Sequence, residues 1–343
     1  MRFAEPETLV DPFERPAVGN VRRRERRSVC AIPRSKVQEF RMFPSWATVS
    51  PASAESAFLG AGVGLALLDG FVRLDAPFAG VWRQRLALQA AAASAKILRL
   101  REDEAALRDT VHLAISDAPG PAGRIHRLWR ELAATDTTIS SERIQAALAL
   151  LDGLEAAEAD DLAARLQEIA TAAGDPISIA AQAASRIYAQ LPDPEGELLA
   201  CWAADLVVAR RLRWCKPVPL LLNALLKPAL RSGPTGRRPR PNGPDWPQMV
   251  AQAYALASAD ARSLAAQLDR RAETLLAVAP QLRARKSDKV VALLLADDCL
   301  APTPAGRRAG LSDRAARRLF ERLVELKAVR EISGRPSFRL YGL

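Results

Sequence analysis

Histidine is nearly missing from this sequence: His112 and His126 are the only two in 343 residues, and neither sits in a motif. A histidine-based hydrolase triad or metal centre needs such residues well placed, so that chemistry has little to draw on. Cysteine is scarce as well. Cys30, Cys201, Cys215 and Cys299 lie far apart without a CxxC pair, which argues against a zinc site or a disulfide framework. Cys201 and Cys299 fall in apolar helical runs and read as core residues of a protein in the reducing cytoplasm. Aromatics make up 5% of the chain, β-branched residues are sparse, and alanine and leucine dominate. That balance favours helices, because Ala and Leu lose little side-chain freedom there. The six tryptophans fall at helical spacing and read as core anchors.

Long apolar stretches are also lacking. Ala57–Leu68 and Val218–Leu226 are the longest, and both are shorter than the roughly 20 residues that span a bilayer. No membrane partner is expected, and the protein reads as soluble. Arg22-Arg23-Arg24-Glu25-Arg26-Arg27 is followed almost at once by Pro33, Arg34 and Lys36, so no export signal is read there. Gly60-Ala61-Gly62-Val63-Gly64 has neither a preceding strand nor a following acidic partner and reads as close helix packing, not as a nucleotide loop. Gly233–Arg240 lacks the Gly-Lys-Ser/Thr ending of a P-loop. No motif calls for a cofactor or a metal.

What is present is an uneven charge. Residues 1–40 hold 9 Lys/Arg against 6 Asp/Glu, residues 41–282 hold 26 against 26, and residues 283–343 hold 14 against 7, within a net charge of +10. A neutral body with a basic end is the pattern of a protein that meets a polyanion at that end; a charged solubilising surface is the plainer alternative.

Five segments are expected. Residues 1–43, rich in Pro, Arg and Glu, read as a basic arm, a solvated tail more readily than a nucleic-acid contact. Residues 44–231 form a helical body, marked by faces such as Phe58, Leu65, Leu68 and Val72, and by Trp82, Leu86, Ala90 and Ala93. Ser140 or Ser141 caps one of its helices and Pro176 opens another. Residues 232–247 carry eight Pro and Gly and form a loop. Its Arg237, Arg238 and Arg240 suit a minor groove, although an exposed loop is the simpler reading. Residues 248–285 form a connecting helix and residues 286–343 a terminal module.

In that module Lys286–Leu300 is expected as a first helix and Thr303–Ala309 as a second, with Gly310 able to take the positive φ of the turn. Ser312 then caps a third helix over Asp313–Leu326. Its core stripe, Ala316, Leu319, Phe320, Leu323 and Leu326, leaves Arg314, Arg317, Arg318 and Arg322 outward, where guanidinium forks suit guanine edges or phosphates in a major groove. Val329–Ile332 and Ser337–Tyr341 read as strands around Ser333-Gly334-Arg335-Pro336, a wing with Arg335 at its tip and Arg339 beside it. The expected fold is therefore mainly α: a multi-helix body followed by a winged helix-turn-helix with a small β-hairpin. Double-stranded DNA is the expected partner and a homodimer fits such a module.

Two further readings stay open. Glu102, Asp103, Glu104 and Asp109, with His112 nearby, are candidates for acid/base or metal chemistry, although Glu104 and Arg108, one turn apart, would pair as ordinary surface ions. The terminal module could also serve protein contacts, making the whole a helical scaffold. The runs Trp82-Arg83-Gln84-Arg85-Leu86-Ala87-Leu88, Arg101–Asp109 and Gly310-Leu311-Ser312-Asp313-Arg314-Ala315-Ala316-Arg317-Arg318-Leu319 resemble an uncharacterised bacterial family, domain of unknown function 1403, over most of the chain beyond the arm. That resemblance implies no activity. The carboxyl end is also similar to winged-helix tails of bacterial proteins related to Fic-type adenylyltransferases, but their His-Pro-Phe motif is missing here, so their chemistry is not implied.

Overall fold

The computed structural model describes residues 54–343 apart from 75, 114–118, 155–157, 232–235, 283–285 and 336. The expected arm, with Arg22–Arg27 and Cys30, lies outside the described residues. Within them the fold is mainly helical, with thirteen α-helices and one small ribbon.

The body begins with α1 (Ala54–Arg73), α2 (Ala79–Ile97), α3 (Glu104–His112) and α4 (Pro121–Ala134). It continues with α5 (Ser141–Leu148), α6 (Ala159–Thr171), α7 (Pro176–Tyr188), α8 (Glu195–Arg211), the short α9 (Leu221–Leu225) and α10 (Trp246–Val278). Local chemistry sets several starts. Ser140 caps α5 by accepting from Arg143 N, and Asp175 caps α7 by accepting from Ile177 N and Ser178 N with Pro176 in the first turn. Helices α2 and α8 are buried on nearly every side, so neither shows the polar stripe of a surface helix.

Helix α10 spans 33 residues, about 50 Å at 1.5 Å per residue, and lies along α1. A Cβ added to Gly64 would stand 2.9 Å from Ser258 Cβ, so within the glycine run expected as packing Gly64 serves close helix approach, whereas Gly62 is exposed with nothing within 4 Å. Buried indoles tie the layers together. Trp82 Nε1 donates to Ala261 O at 2.8 Å, Trp129 Nε1 to Ser94 Oγ at 2.8 Å and Trp246 Nε1 to Ala181 O at 3.0 Å, satisfying groups that would otherwise be costly to bury.

One expectation is corrected in α1. The apolar run does not stop at Leu68: the window Ser56–Arg73 is long and apolar enough, by length and composition alone, to cross a membrane. The helix continues past Leu68 with Phe71 and Val72 buried, and Asp69 and Arg73 pair across its last turn at 2.8 Å. Core helices of many proteins pass the same test, and Ala57, Ala61, Leu65 and Leu68 are buried here against the rest of the body.

The terminal segment comprises α11 (Ser287–Ala296), α12 (Pro302–Ala309), α13 (Asp313–Glu325) and a ribbon of β1 (Arg330–Glu331) and β2 (Tyr341–Gly342). The strands are antiparallel, with Arg330 opposite Gly342 and Glu331 opposite Tyr341. Helix α11 stops at Ala296, short of the expected Leu300, because Asp297 takes extended backbone. Leu300 then bridges Tyr341, each N–H donating to the other's carbonyl at 2.8 and 2.9 Å. The order is thus helix, bridging residue, helix, turn, helix, strand, strand.

Candidate nucleic-acid interface

The geometry of α13 follows from its sequence. Ser312 Oγ accepts from Ala315 N at 3.3 Å, with Asp313 in the first turn, which suits the positive end of the helix dipole. Ala316, Leu319, Phe320 and Leu323 are buried, and Phe320 meets Tyr341 of β2 with ring centroids 5.1 Å apart. Arg314, Arg317, Arg318 and Arg322 are all exposed on the remaining surface. Arg322 pairs with Glu325 at 2.9 Å. The other three guanidiniums have no ion-pair partner among the described residues, and Glu321 and Glu325 confine the basic character to the first two turns.

The turn before α13 is built from small residues. Gly310 has φ +74°, and Leu311 N donates to Gly306 O at 2.8 Å, the left-handed helix ending that glycine allows. A Cβ on Gly306 would lie 2.7 Å from Ala316 Cβ, so α12 and α13 cross in near contact. Lys286 Nζ donates to Gly310 O at 3.0 Å and ties the turn to the start of α11.

Glu331 organises the ribbon tip by accepting from Ser333 N at 2.8 Å and Gly334 N at 2.9 Å. One residue placed by sequence at the wing differs from expectation. Arg335 does not stand free for a groove: its guanidinium turns back onto Asp109 of α3 in an ion pair. The reason is that the ribbon lies close to the body, bringing that carboxylate within reach. Arg339 remains exposed and donates from Nε to Arg335 O at 3.2 Å. Phe338, 73% exposed with φ +54°, is the apolar residue the ribbon offers to solvent.

The terminal segment is locked to the body by a charged seam that sequence reasoning missed. Asp298, fully buried, pairs with Arg85 of α2 and with Arg108 of α3, whose Nε lies 2.6 Å from Oδ2. Asp297 receives both arms of the Arg130 guanidinium from α4, at 2.8 and 3.0 Å. Burial pushes the Asp297 carboxyl upward, but the Arg130 fork outweighs it and holds the group below the usual carboxylate range. A Cβ on Gly80 would meet Ala296 Cα at 2.7 Å, so α2 begins directly against the end of α11.

Both histidines belong to this region. His126 is buried, its Nδ1–H donates to Leu107 O at 2.9 Å, and its Nε2 has no hydrogen-bond partner among the described residues. Burial, reinforced by the Arg130 charge, lowers its pKa to about 3. His112 is lowered too, by burial first, with Asp297 opposing. Its Nε2 sits 3.9 Å from Asp297 Oδ1. The acidic cluster put forward for chemistry disperses among structural duties. Asp103 caps α3 through Ala106 N, Glu104 stands 3.7 Å from Arg108, and Asp109 holds Arg335. Among the described residues no three His, Cys, Asp or Glu side chains come together as metal ligands.

The loop arginines are likewise held. Arg238 pairs with buried Glu197, and Arg240 with Asp193 at 2.6 Å, so neither projects toward a minor groove; Arg237 is exposed.

Residues 33–343 match the family described as Protein of unknown function (DUF1403). The chain belongs to the DUF1403 family. This DUF1403 member therefore carries the family's pattern through both the helical body and the basic terminal segment. Against the curated proteins the DUF1403 chain has no match.

Proposed function

We propose that this protein binds double-stranded DNA through a winged helix-turn-helix formed by α11, α12, α13 and the ribbon, with α13 entering the major groove. The observation that carries the reading is the set Arg314, Arg317 and Arg318, exposed and without ion-pair partners among the described residues, opposite the buried stripe of a capped helix. Unpaired guanidiniums at the first turns of such a helix suit guanine edges and phosphates. The bridge from Leu300 to Tyr341 adds a third strand position before α12, which agrees with winged-helix topology. Arg339 and Phe338 are the wing residues left to meet DNA, since Arg335 is engaged by Asp109.

The role that follows is a transcriptional regulator or replicon-associated factor that acts by binding and not by catalysis, in the cytoplasm where its ligand resides. The test is fluorescence anisotropy with duplex fragments from the protein's own promoter region. The charge-reversal pair Arg317→Glu and Arg318→Glu is expected to abolish binding while leaving the helical circular dichroism unchanged. Retained affinity in the folded double variant would remove α13 from the interface.

A further inference from the structure

A second concentration of positive charge lies at the other end of α2. A cavity of about 610 Å³ is lined by Lys96, Arg99, Arg231, Arg238 and Arg240, with Ile97 and Leu226 as its apolar wall. No carboxylate lines it among the described residues. The two acids that serve these cations, Glu197 for Arg238 and Asp193 for Arg240, are not part of the lining. Lys96, Arg99 and Arg231 are exposed and have no ion-pair partner among the described residues. Three positive charges in the recess therefore have no carboxylate partner among the described residues.

The recess is held in shape. Glu197 is fully buried in the first turn of α8 and fixes Arg238, while Ser185 Oγ donates to Pro241 O at 2.7 Å and pins the loop that carries both arginines. Arg240 also donates to Tyr188 Oη at 3.4 Å. Guanidiniums anchored from behind by carboxylates lose little freedom when an anion arrives in front of them. The C-terminal carbonyls of α2 account for Lys96, but they do not account for Arg99 and Arg231.

We propose that this cavity is a binding site for a compact small molecule bearing two or more phosphoryl groups. Its volume matches a ligand of nucleotide size, and like charges gathered around one recess are relieved by a polyanion. No aromatic ring lines it among the described residues, so the phosphoryl groups and not a stacked base are what it reads. The site is separate from the proposed DNA-binding face. Helix α2 spans 19 residues, about 28 Å; its first turn touches α11 and its last turn forms the cavity wall.

The experiment is isothermal titration calorimetry on the full chain with inorganic tripolyphosphate, a nucleoside triphosphate, and DNA oligonucleotides. Tripolyphosphate is expected to bind, with the nucleoside triphosphate within tenfold of it. The triple variant Lys96→Gln, Arg99→Gln, Arg231→Gln should weaken tripolyphosphate at least a hundredfold, whereas Lys289→Gln, Arg307→Gln, Arg308→Gln, which removes equal charge from the terminal segment, should leave it unchanged. All six side chains are exposed, so both triples should fold, as circular dichroism would verify. Absence of tripolyphosphate binding, equal weakening by both triples, or loss of oligonucleotide binding alone in the first triple would each overturn the proposal.

Discussion

Removing the Asp298 carboxylate by Asp298→Ala would leave two guanidiniums facing each other at the heart of the seam. Arg85 and Arg108 are only 11% and 13% exposed at the side chain, and Asp298 is not exposed at all. Water can do little to replace the lost charge. Breaking a buried pair from one side costs about 3–5 kcal/mol, because the surviving charge stays buried without compensation. Burial would lower Arg108, and its pairing with Asp298 reverses that, so the variant removes what keeps this cation favourable in place. At about 2.1 cal/mol/K of unfolding entropy per residue, 1 kcal/mol shifts the melting temperature of a 343-residue chain by roughly 1.4 °C, so a fall of about 4–7 °C is expected. Calorimetry or denaturant melts would measure it, with Asp161→Ala as the comparison. Asp161 pairs with Arg165 across one turn of α6 with both side chains about half exposed, a pair worth roughly 0.3–0.5 kcal/mol. Equal stability of the two variants would refute the view that the seam fastens the terminal segment to the body.

Stability should also depend on pH in two opposed ways. His126 is depressed to about 3, so its contribution is complete above its unfolded value of about 6.5 and is lost as pH falls toward 3, at ~1.4 kcal/mol per unit. Asp205 is raised to about 7 by burial, against donations from Leu220 N, Leu221 N and Tyr254 Oη. Its contribution is complete below about 3.9 and is lost as pH rises through about 7. Urea melts across pH 4–8 on His126→Asn should show a flatter acid limb; an unchanged limb would contradict the assignment. Gly306→Val should cost about 1–3 kcal/mol and weaken DNA binding together with stability, since its side chain would collide with Ala316. Unaltered melting would mean that α12 and α13 do not cross so closely.

Much of the architecture is legible because it is local. The caps Ser140 and Ser312, the helix start at Pro176, the turn residue Gly310 and the opposed apolar and arginine faces of α13 each declare themselves within a few residues. The density of breakers marks the loop before α10 in the same way. What escapes is long-range. Asp297 and Asp298 sit at the end of the apolar run Val290–Leu295, and a pair of acids there reads as a solvated helix end until three arginines from α2, α3 and α4 arrive from more than 160 residues away. Arg85, inside a buried helix, was the available hint, since a buried arginine needs a partner. The single bridge at Leu300 leaves no period-two pattern to read. The same blindness explains Arg335, Arg238 and Arg240: their sequence neighbourhoods mark them as free, and only the fold supplies Asp109, Glu197 and Asp193.

The salt dependence of duplex affinity tests the DNA reading most directly. Each phosphate neutralised contributes about −0.9 to the slope of log K against log salt concentration, so the wild-type protein should show a steep negative slope. Arg314→Gln, Arg317→Gln and Arg318→Gln should each weaken binding, and any of them that meets a phosphate should make the slope shallower by about one unit. A slope near zero, or one that none of the three substitutions alters while affinity also stands unchanged, would contradict the account.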